Sequence, residues 1–231
     1  MEKKAGCLIC GEELIYFDTP QLLKCEYCGK EIEATVSCSA NHFICDKCHS
    51  MGAIEFASNY CINTHEQNPL EIINSMMKHP SVKMHGPEHH FLVPASLLTA
   101  YANFTKKTEN LCQWLETAKK RAEIVPGGVC GSHGNCGAAV GTGIFLSILL
   151  GSTPLKSEKW GQCNYLTGKS LIKIGEIGGP RCCKRDSFLS IIEAVDFVNE
   201  KMNLNWEIEK SRKCYFKNLN KQCIKEKCPF Y

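Results

Sequence analysis

Cysteine content constrains this chain more than any other feature of its sequence. Seventeen of the 231 residues are cysteine, and eight of them lie in the first 61 residues. Two pairs there, Cys7/Cys10 and Cys25/Cys28, are separated by two residues and followed by glycine. An odd number of cysteines with this spacing favours metal ligation over a disulfide framework. Thiol ligands are typical of a reducing compartment, and the N-terminus has no apolar signal segment, so we expect a cytoplasmic protein.

Hydrophobic periodicity divides the chain into two parts. Short strands are predicted at 14–17 and 31–36, with a hairpin turn at 18–21, and helical spacing dominates beyond residue 67. The expected fold class is α+β: a small zinc-ribbon-like β module over residues 1–66, followed by a mainly α-helical domain over 67–231. The predicted helices are one capped by Asn68 and started by Pro69, and five more over 94–104, 108–123, 136–150, 158–174 and 181–202.

Charge and hydropathy limit the partners of this chain. The formal net charge is +3, too small to indicate nucleic acid or an anionic membrane. Residues 1–84 contain seven lysines against eleven acidic residues, which argues against nucleic acid at the N-terminal module. The longest apolar run, 138–150, is shorter than the roughly 20 residues of a membrane helix. We therefore expect no membrane contact and a protein partner docked on the N-terminal module.

The N-terminal cysteines and histidines allow two pairings. A sequential zinc ribbon, which we favour because it uses both C-x-x-C pairs, has the ligand sets Cys7, Cys10, Cys25, Cys28 and Cys38, His42, Cys45, Cys48. A cross-braced, RING-like pattern has the sets Cys25, Cys28, Cys45, Cys48 and Cys38, His42, Cys61, His65. In both, about 60 residues with few large apolar groups need a metal ion to fold.

A glycine-rich stretch from Pro126 to Gly143 is the most informative part of the helical domain. Cys136 falls at a helix N-terminus, where the helix dipole lowers the pKa of a thiol. Glycines turn backbone N–H groups toward an anionic ligand, such as a phosphate or a metal–sulfur cluster. Tight helix packing explains the small residues after Cys136 equally well, but not Cys130 and His133 before it. The candidate cofactor-binding glycines are Gly128, Gly131, Gly134 and Gly137.

A second glycine-led helix start carries two adjacent cysteines. Cys182 and Cys183 follow Gly178-Gly-Pro and are flanked by Arg181, Lys184 and Arg185. Cations and a helix dipole favour thiolates, so both cysteines and Arg181 are candidate catalytic residues, and Lys184 and Arg185 candidate cofactor-binding residues. Adjacent residues point about 100° apart on a helix, so we expect only one of the two cysteines to join a site. The alternative is a buried cysteine beside solvated cations.

Histidines and tail cysteines complete the candidate residues. His85, His89 and His90 precede an apolar helix and could donate protons or ligate a metal, or could simply cap the helix. The tail contains three further candidate metal ligands, Cys214, Cys223 and Cys228. Their spacing allows an iron–sulfur cluster or a third zinc site completed by Cys163 or a histidine.

Three motifs resemble a family of unknown function, domain 5714. They are HGPEHHFLVP from His85, PGGVCGSHGNCGAA from Pro126 and GGPRCCKR from Gly178. Related domains are fused to radical-SAM proteins or methyltransferases, so the resemblance implies anaerobic cofactor or modification chemistry. The segment Cys136-Gly-Ala is also similar to a C…GCAxxG…C…C family of redox-active character.

These observations lead to three functional hypotheses. The first is an iron–sulfur or thiolate-dependent enzyme of redox, sulfur-transfer or modification chemistry, whose centre combines Cys130, Cys136 and one of Cys182/Cys183. The second is a non-catalytic zinc adaptor that presents its N-terminal module to a partner enzyme. The third is a zinc-dependent thiol or alkyl transferase. The sequence does not indicate which small-molecule substrate is used.

Overall fold

The computed structural model describes residues 7, 9–10, 12–45, 48 and 52–231. In that part of the chain, a two-stranded antiparallel sheet precedes eight α-helices, which confirms the expected α+β class. The strands are β1 (Leu14–Lys24) and β2 (Glu31–Cys38). The helices are α1 (Ala53–Asn63), α2 (Pro69–Met77), α3 (His89–Thr105), α4 (Leu111–Glu123), α5 (Val129–Ser132), α6 (Gly137–Leu150), α7 (Ser157–Ile177) and α8 (Cys183–Met202).

The hairpin is longer than its sequence suggests. The turn predicted at 18–21 is instead an irregularity inside β1, where the register shifts between Tyr16 and Gln21. The chain reverses only after Lys24, and Gly29 takes a positive φ of 68° in that connection. Leu14 pairs with Cys38 at one end of the hairpin, and Lys24 pairs with Glu31 at the other. The cysteines before β1 and after it are therefore held at opposite ends of the hairpin.

Helix α3 is the centre of the helical body. It is apolar on every side, and 14 of its 17 residues are buried, as is typical of a helix surrounded by other helices. Its neighbours are α1, α2, α4, α6 and α8. Helix α6 packs against it through Gly141, where an added Cβ would lie 2.9 Å from Pro94 and 3.0 Å from Val93. The small residues of the glycine-rich stretch thus permit close helix packing after Cys136.

One helix start differs by five residues from the sequence-based prediction, and helix α1 has no predicted counterpart. Helix α3 begins at His89 rather than at residue 94, so Pro94 lies inside the helix. A proline in the second turn removes one i→i−4 hydrogen bond at a cost of about 3 kcal/mol, which the packing of α3 on all sides offsets. Helix α1 was not predicted, although Ala53, Phe56, Ala57 and Tyr60 recur at helical spacing. The neighbouring cysteines and histidines had been assigned to an irregular metal module.

The N-terminal module packs directly on the helical body. The ring of Tyr27 meets Phe56 of α1 edge-on, with centroids 4.4 Å apart, and Phe56 stacks on His79 at 3.9 Å. His79 Nε2 also lies 2.7 Å from the Cys48 carbonyl oxygen. The Lys78 ammonium donates to the Ile9 carbonyl at 3.0 Å. These contacts join both ends of the module to the segment that follows α2.

The C-terminal tail, residues 203–231, contains no α-helix or strand, only the 3₁₀ turns Lys217–Leu219 and Lys225–Lys227. Trp206, Phe216 and Phe230 anchor it in the core. The Trp206 indole N–H donates to the Gln67 carbonyl at 2.9 Å, and Arg212 pairs with Glu71. Across the described residues, none of the helices has the length and apolar character that crossing a membrane requires.

Candidate metal centres and a cysteine-lined cavity

Four ligand residues converge where the start of β1 meets the end of β2. They are Cys7, Cys10, Cys38 and His42, called site I below, and their donor atoms all lie within 4.8 Å of one another. The Cys10 and Cys38 sulfurs are 3.7 Å apart, and His42 Nδ1 lies 3.3 Å from Cys10 Sγ. A tetrahedral zinc ion with Zn–S bonds of about 2.3 Å requires sulfurs about 3.8 Å apart. Site I could therefore hold a metal ion.

A second set of four ligands lies at the other end of the hairpin. Cys25, Cys28, Cys45 and Cys48, called site II below, also have donor atoms within 4.8 Å of one another. The Cys28 and Cys45 sulfurs are 3.9 Å apart. A bridge between Cys25 and Phe43 brings the segment after β2 back beside the hairpin connection. Site II could hold a metal ion of the same kind.

Backbone amides support the thiolate form of one ligand in each site, Cys38 in site I and Cys25 in site II, whereas burial raises the pKa of Cys45 and Cys48. The Cys45 N–H donates to Cys25 Sγ at 3.4 Å, and the His42 N–H donates to Cys38 Sγ at 3.3 Å. Burial opposes ionisation of Cys38, but the N–H groups of His42 and Ala40 outweigh it and lower the pKa of this thiol to about 7. Burial likewise opposes ionisation of Cys25, and amide donors lower its pKa overall. Thiolates are the form that binds metal.

The two sites are cross-braced, so the favoured sequential pairing is wrong. Site I joins the first C-x-x-C pair to Cys38 and His42, and site II joins the second pair to Cys45 and Cys48. The physical reason is the length of β1, whose eleven residues separate Cys10 from Cys25 along the hairpin. The RING-like alternative correctly groups site II. Its other set is wrong, because Cys38 and His42 meet Cys7 and Cys10.

Cys61 and His65 lie away from both sites. Cys61 is fully buried in the helical core, where its thiol contacts Met76 Sδ at 3.7 Å. Burial raises the pKa of the Cys61 thiol to about 12. His65 is exposed after α1. In the described chain, neither residue joins a group of three or more ligands with zinc-like spacing.

The two glycine-led segments of the helical body meet at one open cavity, called the thiol cavity below. Its volume is ≈ 400 Å³. Gly128 and Gly134, both with positive φ, line it on one side beside Cys130 and Cys136. The opposite wall comes from the end of α7 and the start of α8, and its residues are Leu171, Ile174, Gly175, Gly178, Gly179, Arg181, Arg185 and Asp186. Gly131 also lines the cavity.

Cys136 is the N-cap residue of α6, but its pKa differs from the expected one. The N–H groups of Ala138 and Ala139 act to lower the pKa of its thiol, as a helix N-terminus predicts, although the side chain forms no cap hydrogen bond. Burial and then the nearby Asp186 carboxylate outweigh them and raise the pKa of the Cys136 thiol to about 12. The expected thiolate is therefore a protonated thiol at neutral pH. Gly137 beside it leaves room for the His90 ring, with which any Cβ at that position would overlap.

A buried ion pair links the thiol cavity to the start of α8. Arg185 Nε donates to Asp186 Oδ1 at 3.0 Å, and Arg185 also donates to the carbonyls of Gly178 and Pro180. Asp186 Oδ2 accepts the Cys182 N–H at 3.4 Å and lies 4.0 Å from Cys136 Sγ. Burial raises the pKa of Asp186, which Arg185 opposes. Asp186 is not among the residues predicted from the sequence, although its position four residues after Cys182 places it on the same helical face.

The adjacent cysteines at this helix start point to different surroundings. The Cys183 thiol lies near the Gly86 N–H group and near enough to Cys130 and Cys136 for their charges to interact. The Cys182 thiol instead receives the Asn220 Nδ2 donor at 3.6 Å from the tail. Burial raises the pKa of both thiols, contrary to the expectation that flanking cations would lower them. Cys183 is therefore within electrostatic reach of Cys130 and Cys136, but neither Cys182 nor Cys183 is among the residues that line the thiol cavity.

The three histidines hold loops in place around the start of α3. His89 Nδ1 lies 3.0 Å from the Gly86 carbonyl, and its Nε2 lies 3.1 Å from the Lys184 ammonium. His90 Nδ1 lies 3.1 Å from the Val125 carbonyl. His85 Nε2 lies 3.3 Å from Asn220 Oδ1. Burial lowers the pKa of all three imidazoles, so they are neutral at physiological pH.

Lys184 is buried rather than solvated. Its ammonium donates to the Lys83 carbonyl at 2.9 Å and lies 4.9 Å from the centre of the Phe216 ring. Burial lowers the pKa of Lys184 to about 8, and the Glu88 carboxylate opposes this shift. Lys184 and Arg185 are thus held by protein partners, whereas Arg181 is exposed. Among the described residues, Arg181 has no hydrogen bond or ion pair.

The three tail cysteines line one pocket together with Cys182, called the tail pocket below. Cys214, Cys223 and Cys228 surround it, with Arg185 and Lys217 as its cations. The remaining lining residues are mainly apolar: Met84, Phe188, Phe216, Asn220, Ile224, Phe230 and Tyr231. Cys163, considered as a fourth ligand, is instead in the core between α7 and its neighbours. Asn220, which contacts both Cys182 and His85, had no signal in the sequence.

Comparison with known proteins identifies a family but no function. No curated protein and no solved structure matches this chain. A family model described as "Family of unknown function (DUF5714)" matches residues 57–231. The match covers all three motifs noted above and every helix from α2 onward, and it begins after the ligands of sites I and II. The chain therefore belongs to the DUF5714 family of unknown function.

Proposed function

We propose that this protein is an iron–sulfur enzyme of redox, sulfur-transfer or modification chemistry, with its active centre at the thiol cavity. Cys130, Cys136 and Cys183 would be the thiolate ligands of the cluster. The observation that carries this proposal is the meeting of two separate glycine-led segments around one cavity of ≈ 400 Å³ that contains thiols, a cation and backbone amides. Helix packing alone does not require sulfur at these positions.

Ligand spacing favours a cluster over a single metal ion. Sites I and II bring all their donor atoms within 4.8 Å, as one zinc ion requires. Within the described residues, no three ligands of the thiol cavity approach this closely. The thiolates of an iron–sulfur cluster bind different irons, so they lie farther apart than the ligands of one ion. This spacing argues against the zinc-dependent transferase hypothesis.

Protonation argues against free thiolates as the reactive form of the thiol cavity. Burial raises the pKa of Cys136 to about 12 and raises that of Cys183, so neither is nucleophilic as a free thiol at neutral pH. Coordination to a metal removes the thiol proton outright. The Ala138 and Ala139 amides at the same helix end would be available to donate to the metal-bound Cys136 sulfur. Such hydrogen bonds to sulfur adjust the potential of a cluster.

The remaining lining residues suit a small anionic substrate. Arg181 is exposed at the cavity and offers a guanidinium for bidentate binding of a carboxylate or an oxyanion. The Arg185–Asp186 pair is held by hydrogen bonds, and its two opposite charges cancel, so it leaves no net charge for a substrate. A cluster held by three thiolates leaves one iron for an external ligand, which serves redox and sulfur-transfer chemistry. Arg181 would hold the substrate beside that open iron.

Sites I and II would hold two structural zinc ions. Each has four protein ligands, which leaves no open coordination position for a substrate. The hairpin between them exposes large apolar side chains instead of burying them, including Tyr16 and Leu22. A module without its own core depends on bound metal for folding.

Metal analysis of full-length protein purified without oxygen tests the proposal. We expect about two zinc ions per chain together with iron, acid-labile sulfide and visible charge-transfer absorption. The double variant Cys130→Ser/Cys136→Ser should lose the iron of the thiol cavity and keep its zinc. Cys112→Ser is the matched control, because Cys112 is exposed on α4. Iron-free, colourless protein after cluster reconstitution would contradict the proposal, as would full iron content in the double variant.

A zinc adaptor is the second candidate, and the exposed hairpin favours it. The exposed fractions are 74% for Tyr16, 65% for Leu22 and 45% for Ile15, an apolar surface suited to a protein partner. Under this hypothesis, Tyr16→Ser/Leu22→Ser abolishes binding of a purified partner, whereas Cys130→Ser/Cys136→Ser leaves binding intact. The iron measurement above separates this candidate from the enzyme.

A further inference from the structure

The tail pocket gathers four sulfur atoms where the fold gives no structural reason for them. Residues 203–231 form no regular element beyond two 3₁₀ turns, yet three cysteines of this segment meet Cys182 at the start of α8. All four are free thiols. Aromatic anchors already hold the tail: Phe216 and Phe230 are buried, and Phe230 packs edge-on against Phe188 at 5.3 Å. Convergence of the cysteines therefore needs another explanation.

Contacts and charge show that the four thiols share one environment. The Cys214 thiol lies close enough to Cys182, Cys223 and Cys228 to interact with their charges. Asn220 Nδ2 donates to Cys182 Sγ at 3.6 Å, and the Cys223 N–H donates to the Asn220 carbonyl at 3.1 Å. Hydrogen bonds thus connect Cys182 on the body with the turn that carries Cys223. This connection fixes the fourth sulfur beside the three of the tail.

Spacing and surroundings distinguish this set from sites I and II. Among the described residues, no three of the four donor atoms lie within 4.8 Å of one another, whereas all four do in each N-terminal site. The set is therefore wider than one tetrahedral zinc ion requires. Apolar side chains enclose it, and Arg185 and Lys217 lie in its wall. Cations and an apolar shell offset the negative charge of a tetrathiolate cluster.

We propose that Cys182, Cys214, Cys223 and Cys228 bind a [4Fe–4S] cluster that is separate from the centre at the thiol cavity. Four protein thiolates complete the ligand set of such a cluster, so it has no open iron and would transfer electrons rather than bind substrate. Cys182 and Cys183 are neighbours in the chain and serve different centres. The tail cluster would therefore lie directly beside the thiol cavity. It stands independently of the proposed function, because its ligands are different residues.

Variants of the full chain separate the two centres. With both clusters present, Cys214→Ser/Cys223→Ser should lose about half of the iron and sulfide, keep the zinc of sites I and II, and retain its helical circular dichroism. Cys130→Ser/Cys136→Ser should lose the other half, and Cys112→Ser should lose none. Unchanged iron in the tail variant would overturn the tail cluster alone. Unchanged iron in the cavity variant would overturn only the proposed active centre.

Alkylation of the native protein tests the tail cluster without any substitution. Without oxygen, iodoacetamide should modify exposed Cys112 but leave Cys182, Cys214, Cys223 and Cys228 unmodified. After the cluster is destroyed by oxidation and chelation of iron, mass spectrometry should find the three tail thiols reactive, at rates at least tenfold higher. Equal rates before and after this treatment would overturn the proposal. A third zinc ion per chain in place of iron would also overturn it.

Discussion

The N-terminal module and the helical body both gather sulfur atoms, but for different physical reasons. In the module, four donor atoms lie within 4.8 Å at each site, and the hairpin between the sites exposes Tyr16 and Leu22. In the body, an apolar core surrounds α3, and the wider thiol sets lie at the margin of that core. The module has few apolar residues of its own to bury and would depend on metal ligation, whereas the body has an extensive apolar core. We therefore assign a structural role to the first sites and chemistry to the others.

Removing one ligand of site II should have the largest effect. Structural zinc contributes about 10–16 kcal/mol to folding of small zinc modules. We expect Cys45→Ala to lose one zinc ion and to expose residues 7–45 to limited proteolysis, while the helical body keeps its thermal transition. Cys112→Ala is the control. Zinc content and proteolytic fragments are the measurements. A module that stays protease-resistant with one zinc ion fewer would contradict the dependence of its fold on bound metal.

Overpacking the body should have the next largest effect, since its stability comes from close helix contact. An added Cβ at Gly141 lies 2.9 Å from Pro94, so Gly141→Val should destabilise the protein by about 1–3 kcal/mol. Gly161→Ala on α7 is the matched control, because no atom lies within 4 Å of its added Cβ. The control should gain up to about 1 kcal/mol from helix propensity. Urea unfolding measures both, and equal effects would contradict close packing at α3 and α6.

A pH dependence should identify Cys61 as a core residue rather than a ligand. Unfolded Cys61 ionises above about pH 8.5, whereas burial raises the pKa of the folded thiol to about 12. The folded state then binds more protons, so this thiol's contribution to stability falls as pH rises from about 9 to 12. Cys61→Ala is less stable at pH 8 because it leaves a cavity. Its deficit should shrink by about 2 kcal/mol at pH 10, as judged by urea unfolding.

The smallest effect on stability is expected at the exposed edge of the thiol cavity. Arg181 has no hydrogen bond or ion pair within the described chain, so Arg181→Gln should change the free energy of unfolding by less than about 0.5 kcal/mol. Binding of an inorganic oxyanion such as sulfite should weaken severalfold, as measured by calorimetry. Lys173→Gln on α7 is a control of equal charge change. A large loss of stability in Arg181→Gln would assign it a structural role instead.

Much of the fold was predictable because hydrophobic periodicity is a local property. Helices α6, α7 and α8 begin and end within three residues of their predicted limits. Helix α1 was missed because its Cys61 resembled a metal ligand. The hairpin was predicted too short, since Pro20 reads as a turn residue but here lies at an irregularity in β1. Such an irregularity depends on the partner strand, which sequence spacing does not reveal.

The candidate sites were less predictable, because they depend on long-range contacts. Spacing identified the ligands of sites I and II but not their pairing, which follows from hairpin length. The rule that adjacent helical residues diverge predicted the separation of Cys182 from Cys183, but nothing local indicated that the tail would return to Cys182. The thiol pKa values could not be predicted from the sequence. At Cys136, burial raises the pKa by more than the helix N-terminus lowers it, and burial is set by tertiary packing.

Cross-bracing has an evolutionary consequence for the N-terminal module. The ligands of the two sites alternate along the chain, so a break anywhere between Cys28 and Cys38 leaves neither site complete. Loss of the residues on either side of such a break would leave two donors of each site without partners. We therefore expect the module to be gained or lost as a unit. The family match, which begins at residue 57, accords with a helical body that can occur without this module.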